Sequence, residues 1–408
     1  LFFMFVFCVS CTTLFAQDNE SIPINKIDQK SLEEKARYLV SQMTLEEKIG
    51  LTVGDGKFLP SVDPKTVTVG QGMLITDQAS KPLIPRLDIR STPMSDGPAG
   101  LNREARKDGQ TDYHFTTAFP TAPCLASTWN TGLVERVGEA FGNEALEYGI
   151  DLVLAPGINI HRNPKCGRAF EYYSEDPLLT GKMASSMVRG LQSNGVGATL
   201  KCLVAYNQET NRRHYNGVIS QRALREIYLR ASEIAVKESR PQSIMTSYAK
   251  LNGYFTAENP ELLQSIVRQE WGFDGFYITD FDGSGTASAK VRAGNNLLMS
   301  GSEQEYNELA DAFKNKELDE SALDENLYHY IKFKLNSPRT KGYIPTYKPD
   351  LRSHANIARE AACEGMVLLK NENKTLPIST KNRVALFGKI GYHLIPFGTG
   401  SGSVRSYK

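Results

Sequence analysis

In GFYITDFDG (275–283) an apolar run from Phe276 through Ile278 ends in two carboxylates, Asp280 and Asp282. A carboxylate fixed at the end of a buried strand can attack carbon, move a proton or accept hydrogen bonds from hydroxyls. It can also do no more than cap the next turn or pair with a lysine. Asp282 precedes Gly283, and an Asp-Gly pair reads as a turn. Three earlier apolar runs finish the same way, in HRNP (161–164), KCLVAYNQE (201–209) and SYAKLNG (247–253). Four consecutive runs that end in polar or charged residues predict one wet, carboxylate-containing pocket.

The elements that would carry these residues follow from hydrophobic periodicity. GIDLVLAPGINI (149–160), GATLKCLVAYN (197–207), QSIMTSYAKLNG (242–253), GFYITDFDG and NNLLMSG (295–301) read as strands that are apolar on both faces. Helical patterns separate them. SQRALREIYLRASEIAVKES (220–239) opens on Ser and Gln, and NPELLQSIVRQEWG (259–272) has Asn at the cap and Pro at the first turn. Near the start, SLEEKARYLVSQMTLEEKIG reads as one amphipathic helix opened by Ser with Glu three residues on. Strands that alternate with helices imply parallel βαβ units. The roughly 280 residues from 30 to 310 suit an α/β fold of the (β/α)8 TIM-like barrel type, typically about 250 residues, with a doubly wound open sheet as the alternative. In a barrel the catalytic groups sit at the strand ends.

A helix and a Pro/Gly/Tyr-rich linker fill 311–352, and 353–408 reads as the incomplete start of an α/β sandwich domain. There HANIAREAACEGMVLLKNENKTLPI predicts a helix–strand unit, and RVALFGKIGYHLIPFGTGSGS predicts a buried strand followed by a Gly-rich loop. At the other end, LFFMFVFCVSCTTLFAQ is apolar over nine residues and then turns small and polar. This is the pattern of a signal peptide over 1–16 with its start missing, and it is too short to span a bilayer. It predicts export to the periplasm or the medium.

Composition narrows the classes further. The chain of 408 residues has 40% hydrophobic and 23% charged residues and a formal net charge of +1. A packed core is expected, with no nucleic-acid partner and no transmembrane span. Of the six cysteines, Cys8 and Cys11 lie in the leader, and Cys124, Cys166, Cys202 and Cys363 form no CxxC pair. The six histidines show no metal-binding spacing, so neither a metal nor another cofactor is implied.

Seven blocks then occur in a telling order: MSDGPAGLN (94–102), NPKCGRAFEYYSEDP (163–177), ATLKCLVAYNQETNR (198–212), IMTSYAKLNGYFTAENPELL (244–263), EWGFDGFYITDFDG (270–283), AGNNLLMSG (293–301) and EGMVLLKNENKTLPI (364–378). Together they resemble glycoside hydrolase family 3 over about residues 30 to 405. The resemblance implies a (β/α)8 barrel followed by an α/β sandwich, a small β-linked carbohydrate as substrate and a retaining mechanism through a covalent glycosyl-enzyme. It implies that Asp280 is the nucleophile, kept ionised by Lys201 and Arg168. Asp96 would accept hydrogen bonds from sugar hydroxyls unless it is a cap or turn former before Gly-Pro, and Arg168 and Lys201 would donate to them unless they serve as structural ion pairs with Glu171 or Asp96. Tyr248 would stand beside the nucleophile unless it is a plain core tyrosine.

Three departures qualify the expectation. Cys202 stands where the family has a sugar-binding histidine, and a thiol is a shorter and weaker donor. Losing one such contact costs about 0.5–1.5 kcal/mol. Phe281 stands where β-glucosidases commonly have Trp, which keeps apolar stacking but loses the indole N–H. The family's acid/base glutamate lies in the sandwich domain and is expected beyond residue 408. Glu171 and Glu175 read as scaffold, and Glu209 is also available. The expected activity is an exo-β-glycosidase of the β-glucosidase type. A β-xylosidase and a catalytically impaired carbohydrate-binding fragment are the alternatives. The segment after Lys201 lacks the Gly-His-Gly pattern of the family's N-acetylhexosaminidases, and FGTGSGS lacks the Lys-Ser/Thr step of a phosphate loop, reading instead as a Gly-rich surface loop.

Overall fold

The computed structural model describes residues 31–59, 61–62, 67–70, 73–76, 82–102, 115–388, 391, 398–404 and 406. The predicted leader lies outside them. Ser31 opens a helix over Leu32–Ser41 through a reciprocal cap, its hydroxyl accepting from Glu34 N while Glu34 accepts from Ser31 N at 2.8 Å. The single helix expected here is in fact two. Thr44 and Glu47 form a second reciprocal cap that starts a new helix at Leu45–Thr52. Two Ser/Thr-x-x-Glu boxes thirteen residues apart outweigh the continuous apolar spacing.

Five strands form the parallel part of the main sheet, in the order Met94–Asp96, Leu152–Leu154, Gly197–Leu203, Ser243–Thr246 and Phe276–Ile278. Their partners are in register from Met94 opposite Leu152 through to Ile278 opposite Met245. Parallel bridges from Ile278 to Leu297 and from Leu298 to Val53 carry the sheet round, giving an α/β fold with a TIM-like barrel. One side departs from a regular (β/α)8 barrel: the hairpin Val67–Gly70 and Met73–Thr76 joins Met94–Asp96 antiparallel. The Asn-capped helix Glu261–Glu270 and the Ser-capped segment from Gln221 to Ser239 pack outside the sheet; the former is wound in wide π turns throughout and the latter has one such stretch at Leu224–Tyr228.

Strand alternation divides the apolar residues between two layers. Met94, Leu152, Leu154, Met245, Phe276 and Ile278 fill the barrel interior. Val153, Ala198, Leu200, Ile244 and Tyr277 face the surrounding helices. This period of two puts Asp280 on the inward side, two residues beyond Ile278, and Asp96 likewise, two beyond Met94. The register slips between Leu200 and Leu203, and both Lys201 and Cys202 end up with inward partners.

The helix Glu320–Asn336 is tied to the barrel by Lys334, whose Nζ lies 2.7 Å from Asp55 Oδ1 and 2.8 Å from Thr92 Oγ1. The helix Leu351–Glu364 packs on Thr131–Glu147, with His354 Nδ1 2.9 Å from the buried Glu144. The strand expected at 383–387 is not formed. Val384, Leu386 and Phe387 are exposed, as are Val367 and Leu369. A strand needs a neighbour for its backbone donors and acceptors, and none of the described residues pairs with this segment.

Candidate active site

A cavity of about 660 Å³ opens at the C-terminal ends of the parallel strands. Asp96, Arg168, Lys201, Tyr248, Asp280 and Phe281 all line it. A second cavity, of about 590 Å³, lies by Gln242 and Gly275, which precede their strands, and so opens at the opposite end. Its Asp274 is already bound to Lys332, and it holds none of the strand-end residues.

Asp96 ends its strand in the turn Asp96–Gly97–Pro98–Ala99–Gly100. Gly97 has φ +151, and a Cβ there would lie 1.9 Å from the Gly100 carbonyl oxygen, so the turn behind Asp96 admits only glycine. Asp96 Oδ1 accepts from Lys201 Nζ at 2.9 Å. Lys201 also stands 3.6 Å from Glu171, which in turn accepts from Arg168 Nε. Arg168 Nη1 reaches to 3.9 Å from Asp280 Oδ2, and its guanidinium lies 5.3 Å from the Tyr206 ring centroid. Three carboxylates and two cations thus form one chain of charge: Asp96, Lys201, Glu171, Arg168, Asp280. The expectation that Arg168 and Lys201 either donate to a ligand or form ion pairs resolves into both, since each lines the cavity and each is paired.

Burial sets the electrostatics. It raises the Asp96 carboxyl above the usual carboxylate range. Lys201 opposes that rise, and the Glu171 and Asp280 charges add to it. Burial would also raise Glu171, but Arg168 and Lys201 together hold it below the usual range. Lys201 loses hydration, yet Asp96 and Glu171 outweigh that loss and raise its pKa, so it stays charged. Glu171 is fully buried between two cations, which is the scaffold role read for it.

Tyr248 lies beside Asp280. Its hydroxyl donates to the Phe281 carbonyl at 2.7 Å, and burial followed by the Asp280 charge raises the phenol. Asp280 Oδ1 accepts from the Phe281 amide at 2.8 Å. Asp282 has φ +50 and turns the chain away, as the Asp-Gly pair implies. Cys202 requires a correction. It was expected as a short substitute donor to substrate, but it is buried and absent from the cavity wall, and its thiol instead donates to Asp280 Oδ2 at 3.6 Å. The side chain is too short to pass the carboxylate. Glu175 is exposed beside the helix cap Asp176 and lies away from the cavity, whereas Glu209 lines it and pairs with Arg212 at 3.2 Å.

Several wall residues carry no signal that sequence reasoning picks up, among them Arg212, Phe170 and a Gly-rich segment. Arg212 stacks over the Tyr248 ring at 4.7 Å, and its only signal was a basic pair eleven residues after Lys201. Phe170 lies next to Arg168 in the cavity wall. The Gly-rich segment at 398–401, read as a surface loop, forms one side of the cavity. Ser401 Oγ donates to Glu171 at 3.3 Å, and Gly400 O accepts from Asn102 at 3.4 Å. Nothing local in FGTGSGS signals a partner 230 residues away. Among the described residues, no group of three or more His, Cys, Asp or Glu side chains is placed to hold a metal ion, and no helix is long and apolar enough to cross a membrane.

A sequence model of the Glycosyl hydrolase family 3 N terminal domain matches residues 101–332. The chain is 38% identical over 357 residues to thermostable beta-glucosidase B of Acetivibrio thermocellus, covering 86% of this chain and 44% of that protein. It is 37% identical over 364 residues to an exo-alpha-(1->6)-L-arabinopyranosidase of Bifidobacterium longum, covering 86% of this chain and 45% of that protein. The chain therefore spans less than half the length of these curated relatives. Among solved structures, beta-glucosidase 3B from Thermotoga neapolitana in complex with alpha-D-glucose superimposes with a TM-score of 0.84 at 45% identity, over 91% of this chain and 52% of that one.

Proposed function

The chain belongs to glycosyl hydrolase family 3, and from that premise we propose that it is the barrel portion of an exported, retaining exo-β-glycosidase, most simply a β-glucosidase. The observation that carries the reading is Asp280, a strand-end carboxylate that opens into the cavity with Arg168 on one side and Tyr248 on the other. In the proposed reaction, an Asp280 oxygen attacks the anomeric carbon as the bond to the leaving oxygen breaks. A glycosyl ester results, which water then opens with release of the sugar and the free carboxylate. Asp96 accepts from sugar hydroxyls, and Lys201 and Arg168 donate to them. Charged partners of this kind make the stronger hydrogen bonds. Phe281 offers an apolar face to the ring. The proton for a poor leaving group is assigned to the family's second domain, and such help is worth about 10²–10⁴-fold. Export is proposed from the apolar leader.

A second glycone is favoured by one observation. The arabinopyranosidase relative is matched almost as well as the glucosidase. The test is hydrolysis of dinitrophenyl β-D-glucoside, β-D-xyloside and α-L-arabinopyranoside, beside the natural disaccharides. Release of phenol from one glycoside, abolished in Asp280→Ala, supports the reading, and the preferred sugar names the glycone. Folded protein that binds sugar but releases no phenol from any of the three would sink it in favour of a carbohydrate-binding fragment.

A further inference from the structure

The turn that follows Asp280 is held in an unusual way. Three consecutive backbone carbonyls each accept a side-chain donor from a different element. Phe281 O accepts from Tyr248 at 2.7 Å, Asp282 O from Arg213 Nη1 at 3.1 Å and Gly283 O from Lys290 Nζ at 2.8 Å. Tyr248 follows the strand Ser243–Thr246, Arg213 follows Gly197–Leu203, and Lys290 lies on the helix Ala287–Ala293. The backbone amides are held as well. Asp282 N donates to Met299 O at 2.9 Å, and Gly283 N donates back to Asp280 O at 3.1 Å.

Lys290 is the least expected member of the set. It is 1% exposed, lies outside the cavity wall and, among the described residues, has one other side-chain partner, Glu305 at 3.0 Å. Burying an ammonium costs free energy unless it is paired and hydrogen-bonded, and a neutral apolar side chain would fill the site at lower cost. Its placement makes sense if the position of the Gly283 carbonyl matters. Arg213 has the complementary character. It is exposed, so the fold does not need it, yet it reaches the Asp282 carbonyl and stands 5.5 Å from the Tyr248 ring centroid.

We propose that Lys290 and Arg213 are positioning residues that aim Asp280 by fixing the carbonyls of the turn behind it. Neither lines the cavity. Displacing a reacting group by about 1 Å can cost about 10²-fold in rate, so a turn pinned from three sides bears on the chemical step and not on binding. The inference rests on Asp280 being the nucleophile.

The test is covalent trapping with 2,4-dinitrophenyl 2-deoxy-2-fluoro-β-D-glucoside, or with the corresponding β-D-xyloside or α-L-arabinopyranoside where the hydrolysis panel names that sugar as the glycone. Asp280 forms its bond to the anomeric carbon, and the dinitrophenolate leaves with the electron pair, so no proton donor is required. Wild type, Lys290→Met and Arg213→Ala are compared by the limiting rate of inactivation, the inhibitor concentration giving half that rate, mass mapping of the label, and melting temperature. The expected result is label on Asp280 in wild type. The limiting rate falls at least about tenfold in each variant while the half-saturating concentration stays within about twofold. Arg213→Ala should melt with wild type, and it alone decides the matter if Lys290→Met does not fold. Limiting rates equal to wild type, or a slowing carried wholly by half-saturation, would overturn the positioning role while leaving the nucleophile standing. Absence of label on Asp280 in wild type would overturn both.

Discussion

The Cys202 sulfur stands 3.6 Å from Asp280 Oδ2, and the thiol is the donor. Burial raises this thiol; Arg168 pulls it back, and the Asp280 charge raises it further. It therefore stays protonated and makes one weak hydrogen bond to the carboxylate without competing as a nucleophile. Alkylation should reflect this. Iodoacetamide should label the exposed Cys363 in folded protein and reach Cys202 only in denaturant. Mass mapping of the alkylated peptides checks it, and labelling of Cys202 in native protein would count against the geometry.

Asp280→Asn should remove turnover of an activated aryl glycoside by at least about 10³-fold, which corresponds to about 4 kcal/mol of barrier. Its circular dichroism should stay close to wild type, because Asn has the same shape and its side-chain oxygen can still accept from the Phe281 amide. Retained turnover would move the nucleophile elsewhere.

Glu171→Ala leaves Arg168 and Lys201 facing each other across a buried gap. Breaking a buried ion pair from one side costs about 3–5 kcal/mol, so urea unfolding should shift by that order. A shift below about 1 kcal/mol would mean that solvent already reaches the pair.

Acid should weaken the barrel through His329. Burial, then the neighbouring Arg268 and Lys332, lower this imidazole from 6.5 to about 4, against the opposing pull of Asp274. Glu325 lies 3.6 Å away on the other side. The unfolded residue takes its proton near 6.5, whereas the folded one takes it only near 4. The contribution is thus complete above pH 6.5 and is lost as pH falls from 6.5 to 4, amounting to about 3 kcal/mol. His329→Gln should flatten the fall in unfolding free energy across that window. An unchanged slope would rule this histidine out.

Gly402→Val should disturb the wall and spare the chemistry. A Cβ at Gly402 would lie 2.8 Å from the Phe170 ring, so either that ring or the segment around Gly402 must shift, and both Phe170 and residues 398–401 line the cavity. KM is expected to rise several-fold with kcat within about twofold, the pattern of lost uniform binding. Steady-state kinetics on the preferred aryl glycoside would show it.

Strand-borne features were readable in the sequence because the signals are local. The apolar runs place the strands at Leu152, Gly197, Ser243 and Phe276, and polar residues after each run mark the cavity end. The Ser31 and Asn259 caps were read for the same reason. What escaped depends on distant partners. The antiparallel hairpin at 67–76 carries no signal of which edge it will join. The register slip at Lys201–Cys202 has no marker in composition, and it decides whether Cys202 faces Asp280 or the helices. Ser401 and Arg213 act through contacts with residues far away in the chain.

The contact of Ser401 bears on how the chain is made. Glu171 and Ser401 meet although 230 residues separate them, and Val404 packs beneath Gly100. A ribosome adds about 5–20 residues per second, so Ser401 is made about 10–50 s after Glu171. All the parallel strands and the charged chain from Asp96 to Asp280 are complete well before then. The nascent barrel can therefore close around its ion pairs while the cavity still lacks one side, and that side is laid over it only afterwards.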